Sequence, residues 1–144
     1  IKSMYYNLMQ SSLVQLDVLT MSEKSYKKIT SKIEETGSGK PRALLAYYYS
    51  ILEVMKQYST SIFCPIIIDS PNQQDQEKAN IDKMLNFIIS NKPLGSQLIL
   101  GLVEMDDLEF EGETIVLSEK HSLLQKDDYP NIFLEVKSLL EKCS

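Results

Sequence analysis

Apolar positions recur along this chain with two different periods, and the switches between them divide it into elements. Ile1, Met4, Tyr5, Leu8 and Ser12 fall at helical spacing and predict a helix over residues 2–12. Leu13-Val14-Gln15-Leu16-Asp17-Val18 alternates apolar and polar, which predicts a strand. Residues 20–35 are polar, and either a second short strand or a surface loop fits them. A long helix follows, with Leu44, Leu45, Tyr48, Ile51, Leu52 and Met55 on one stripe and Pro41 in its first turn, where no N–H is needed. A strand is expected from near Phe63 to Asp69. The next helix carries Ile81, Met84, Leu85, Ile88 and Ile89 on one face. Asp75 stands where it would cap that helix, and Asn91, Pro93 and Gly95 end it. Strands are then expected at 97–103, ending at Glu104, and at 114–117, separated by an acidic turn over 105–112. Asp128 and Pro130 open a last helix expected to turn Ile132, Val136, Leu139 and Cys143 inward.

The other elements are arranged around Ile66-Ile67-Ile68-Asp69-Ser70-Pro71. Three β-branched residues run directly into an acid, a serine and a chain-breaking proline. A short, unbroken apolar run reads as a strand buried on both faces of a parallel sheet. Asp69 then lies just past its carboxyl end, the edge where open α/β sheets bind ligands. With the helix and strand that follow, residues 65–103 form a candidate right-handed βαβ unit. The fold class is therefore α/β, with mostly parallel strands flanked by helices.

Bulk properties narrow the function classes. The 144 residues suggest one domain large enough for a proper core. A net charge of -5 argues against a chain that coats nucleic acid by charge alone. Lys24, Lys27, Lys28 and Lys32 lie close together, as a solvated surface or a local basic patch. Cys64 and Cys143 have no metal-ligand spacing and read as free thiols of a reducing, cytoplasmic compartment. No apolar run approaches the roughly 20 residues of a membrane span. The chain opens on Ile1 inside a helical pattern, so it is expected to be a piece of something longer.

Candidate chemistry begins at Thr36-Gly37-Ser38-Gly39-Lys40-Pro41-Arg42. Two glycines around a serine let backbone N–H groups approach a ligand, and the loop opens a helix, a natural anion site. Gly39-Lys40 does not complete a Walker A motif. Pro41 takes the hydroxyl position, Glu34 takes the first glycine position, and no strong strand leads in.

A Gly-Ser-Gly loop opening a helix, then an aliphatic strand ending in Asp, a polar loop and a second strand: this order resembles the C-terminal half of the ABC-type ATPase head in SMC-like proteins of DNA repair, chromosome maintenance and phage defence. The resemblance spans roughly residues 13–118. It implies that Gly37, Ser38 and Gly39 form the signature loop, which touches the γ-phosphate of ATP held by the opposite subunit, with Arg42 supporting that contact. It implies that 66–69 is Walker B, with Asp69 holding Mg²⁺ through water. Gln73, Gln74 and Asp75 would lie on the D-loop facing the dimer partner, and Glu104 would end the strand that delivers the switch residue. The cofactors implied are ATP and Mg²⁺. The partners implied are an N-terminal P-loop lobe of the same ATPase, a second copy in a dimer, and DNA.

The chain departs from that family at three places. Its loop reads Gly-Ser-Gly rather than Ser-Gly-Gly. Ser70 stands where the family places its glutamate base, and Glu104 stands in place of the switch histidine. Water activation would therefore fall to Glu104 or Gln74. The residues also carry plainer readings. Asp69-Ser70-Pro71 makes an ordinary strand-end turn, and 37–39 makes a flexible loop. Tyr47, Tyr48 and Tyr49 point to different sides of a helix and suit packing better than base stacking. His121 stands alone in a polar stretch and suits the surface. The competing functional class is a non-enzymatic protein-interaction module, which predicts a closed sheet. The ATPase reading requires an open sheet edge for the other lobe, and by itself this piece would not hydrolyse ATP.

Overall fold

The computed structural model describes residues 1–60, 62–71, 77–103, 110–117 and 129–142. They fall in two compact units, Ile1–Phe110 and Glu111–Ser144.

The first unit holds α1 (Lys2–Gln15), a 3-10 turn (Glu23–Ser25), α2 (Gly39–Tyr58), β1 (Ile66–Asp69), α3 (Lys78–Ser90) and β2 (Leu98–Gly101). Its core joins Tyr5, Met9, Leu13 and Leu16 of the first segment to Ala43, Leu45, Ala46 and Tyr49 of α2 and to Met84, Phe87 and Ile88 of α3. Burying a side chain the size of Met9, Leu16 or Ile88 contributes about 2 kcal/mol. Tyr49 locks α2 to α3: its Oη donates to the Ile88 carbonyl at 2.9 Å, and its ring lies 5.3 Å from that of Phe87.

The strand expected at 13–18 is not formed. Helix α1 runs on to Gln15 and ends in a turn at Leu16 and Asp17. Leu13 and Leu16 continue the buried row begun by Tyr5, Met9 and Ser12, so the helical period wins over a six-residue alternation that fits either element. Residues 20–35 take the loop alternative, built on the 3-10 turn, with Tyr47 Oη donating to the Ile29 carbonyl at 3.0 Å.

Helices α2 and α3 lie where the spacing puts them. The buried face of α2, however, is Arg42, Ala43, Leu45, Ala46, Tyr49, Ser50 and Val54. Most of the expected stripe (Leu44, Tyr48, Leu52, Met55) looks into a groove, while Ile51 also packs against the core. Of the three tyrosines, Tyr49 is buried, Tyr47 half-buried and Tyr48 exposed, as their helical directions require.

Strands β1 and β2 pair in parallel, Ile66 with Leu98 through to Asp69 with Gly101, and α3 connects them. The expectation that β1 is buried on both faces does not hold. Ile68, Leu98 and Leu100 pack against the core, whereas Ile67 is 70% exposed and Ile99 45%. Among the described residues the sheet has these two strands alone, and no described residue buries Ile67 or Ile99 on its second face.

The second unit contains α4 (Tyr129–Lys142). No residue of that helix is buried: Ile132, Val136 and Leu139, expected to face inward, are exposed, and Cys143 lies outside the described residues. The strand expected at 114–117 is absent, and Ile115, Val116 and Leu117 are exposed. A run of β-branched residues forms a strand only with a neighbour to pair with. Among the described residues no helix is long and apolar enough to cross a membrane.

Candidate functional site

Asp69 ends β1, and its exposed carboxylate stands where the run of isoleucines stops. The turn beyond it is tightly specified. Ser70 takes a positive φ of 50°, its N–H donates to the Gly101 carbonyl at 2.9 Å, and its Oγ donates to Asp69 Oδ1 at 3.0 Å. A hydroxyl group at this position thus holds the carboxylate. A Cβ placed on Gly101 would lie 2.8 Å from Asp69 Oδ1, so the glycine keeps that oxygen's space clear.

The 37–39 loop sits at the start of α2. Gly37 has φ +56°, with open space where a side chain would stand. Ser38 occupies the N-cap without a side-chain capping bond, and the first turn holds no acid. A Cβ on Gly39 would come within 3.1 Å of the Glu35 side chain. Gly37 and Ser38 are exposed, so the loop is free to meet a ligand from outside the chain.

Arg42, expected to support the loop's contact with phosphate, is turned into the protein. It is 7% exposed, and its guanidinium spans three elements. Nε donates to the Ser38 carbonyl at 3.2 Å. Nη1 donates to the carbonyls of Leu16 at 2.8 Å and Asp17 at 3.0 Å and to Asn80 Oδ1 at 3.2 Å. Beside it, Lys83 Nζ lies 2.9 Å from Asp17 Oδ2, and this hydrogen bond and charge hold the Asp17 carboxyl below its ordinary value. Nothing in the sequence signals this hub, because three of its acceptors are main-chain carbonyls and the fourth, Asn80, is 38 residues away.

An open groove of about 960 Å³ runs between α2 and β1. Tyr48, Met55, Phe63 and Ile67 line it, with Pro41 and Asp69 also on its wall. Cys64, a free thiol, lies on the same wall. Thus the groove borders both the first turn of α2 and the end of β1. Glu104, Gln73, Gln74, Asp75 and His121 lie outside the described residues. Among the described residues no three His, Cys, Asp or Glu side chains gather to hold a metal ion. A lone carboxylate suits Mg²⁺ that takes its remaining ligands from phosphates and water.

No family model matches the chain, and no solved structure matches it. It is similar to the Lamassu protein LmuB of Bacillus cereus (strain VD014), with 24% identity over 138 residues. The match covers 91% of this chain and 24% of LmuB, so the chain spans about a quarter of the length of that relative.

Proposed function

We propose that this chain is the C-terminal lobe of an SMC-like ATPase head that acts in phage defence. The distant similarity to LmuB supports the SMC-like and phage-defence part of the reading. The observation that carries the ATPase part is the parallel β1–β2 pair, with Asp69 at its carboxyl end and its second face uncovered. Among the described residues the sheet stops at two strands, so its edges are open to pair with a further lobe, as this reading requires; the interaction-module reading expects a closed sheet.

In this reading ATP is sandwiched between two heads. Asp69, held by Ser70 Oγ and given room by Gly101, is the residue that would hold Mg²⁺ beside its own head's nucleotide. The 37–39 loop of the other head presents Ser38 and backbone N–H groups to the γ-phosphate. When bound, Mg²⁺ spreads the charge that develops on the phosphoryl oxygens, and transfer to water then rests on positioning. Glu104 or Gln74 orients the attacking water. Closure of the heads changes their grip on DNA or on a partner protein.

The test uses the full-length protein. ATP hydrolysis and ATP-dependent dimerisation are compared for wild type, Asp69→Ala and Ser38→Arg. Loss of both activities in both variants is the expected result. A wild type that neither binds nor hydrolyses ATP, or variants indistinguishable from it, overturns the reading.

A further inference from the structure

Arg42 is a buried cation whose partners lie on three elements. Its Nη1 carries two hydrogens and faces three oxygens, those of Leu16, Asp17 and Asn80, while Nε takes the Ser38 carbonyl. The guanidinium reaches Ser38 through Nε while Nη1 holds the other three oxygens, and a lysine ammonium, with one nitrogen, cannot hold both at once. The Ser38 carbonyl belongs to the candidate ligand loop, Leu16 and Asp17 to the turn after α1, and Asn80 to the first turn of α3. We infer that Arg42 is a positioning residue, which fixes the 37–39 loop against the end of α1 and the start of α3. The inference rests on the proposed role of that loop in facing nucleotide. A displacement of α1 or α3 reaches the loop through one guanidinium.

A neighbouring contact provides the control. Lys83 also ties α3 to Asp17, at 2.9 Å, without touching the loop. If Arg42 were merely part of a scaffold, loss of either tie would disturb the loop alike.

The experiment takes the full-length protein and the variants Arg42→Lys, Asn80→Ala and Lys83→Met. Two readouts are used: steady-state ATPase kinetics, and hydrogen exchange at the Lys40 amide, which donates to the Gly37 carbonyl at 3.2 Å. Arg42→Lys and Asn80→Ala should speed exchange at Lys40 and lower kcat by about tenfold, with KM within about twofold, because the loop acts only once the heads close. Lys83→Met should leave both readouts near wild type. Unchanged exchange in Arg42→Lys and Asn80→Ala overturns the inference, and so does an equal effect from Lys83→Met. A wild type without ATPase activity overturns the proposed function instead, and the exchange data then decide the positioning role by themselves.

Discussion

Gly101 stands opposite Asp69 in the parallel pair, and a Cβ there would approach Asp69 Oδ1 to 2.8 Å. The obstacle is the end of a short side chain, not backbone, so the carboxylate is what moves. Gly101→Ala should therefore leave folding nearly intact, at a cost of about 1 kcal/mol from local overpacking. In the full-length protein it should lower Mg²⁺-dependent ATP hydrolysis by about tenfold or more, as a displaced ligand does. Urea unfolding and steady-state hydrolysis check the two halves; a large stability loss with normal turnover would refute this account of the glycine.

Two buried tyrosines make opposite predictions. Tyr49 Oη donates to the Ile88 carbonyl, so Tyr49→Phe should cost about 1 kcal/mol and leave a carbonyl unpaired. Tyr5 is fully buried with no hydrogen-bond partner for its hydroxyl, so Tyr5→Phe should be neutral or stabilising. Burial raises both phenols, Tyr5 to about 12. The folded state thus keeps protons that the unfolded chain releases near pH 10, and stability is full below that pH and lost as it rises toward 12. Urea titrations of both variants at pH 7 and pH 11 separate the terms: both should flatten the alkaline loss, and only Tyr49→Phe should lower stability at pH 7.

Asp17 gives an acid-side prediction. The Lys83 hydrogen bond and charge depress its carboxyl, with Arg42 adding a smaller effect. As pH falls, the unfolded chain takes up this proton before the folded state does. The contribution is therefore present above about pH 4, the ordinary carboxylate range, and is lost as pH falls through the lower folded value. Asp17→Asn isolates the charge, because Asn also tolerates the positive φ of 55° at this site. The stability gap between wild type and Asp17→Asn should be visible at pH 7 and should close in acid, and a gap that persists there would show the effect to be steric.

These sites show what the sequence makes legible. Helices α2 and α3 and the strands β1 and β2 follow from long apolar stripes and unbroken aliphatic runs, signals with one structural solution. The strand expected at 13–18 fails because Val14, Leu16 and Val18 satisfy a period of two over so short a stretch, whereas the buried residues are Leu13, Leu16 and Val18, which serve a helix and its following turn. In α2 the apolar stripe is real, but most of it faces the groove, because Ala43 and Ala46 allow the other side to pack closely on α1. The place of Asp69 at a strand end is legible from its neighbours. Its support by Ser70 and Gly101 depends on strand register, and the role of Arg42 depends on carbonyls that carry no side-chain signal.

The uncovered sheet face yields the last prediction. Ile67 at 70% exposure and Ile62 at 96% leave apolar surface of a kind that drives association. In the isolated chain, Ile67→Lys should change the unfolding midpoint little, since it removes almost no buried contact, and should reduce self-association measured by sedimentation. In the full-length protein the same substitution should be severe, because the proposed reading places a second lobe on this face, and a charge left there without a partner costs about 3 kcal/mol or more. A full-length Ile67→Lys protein as stable and active as wild type would mean that the face stays open in the whole molecule.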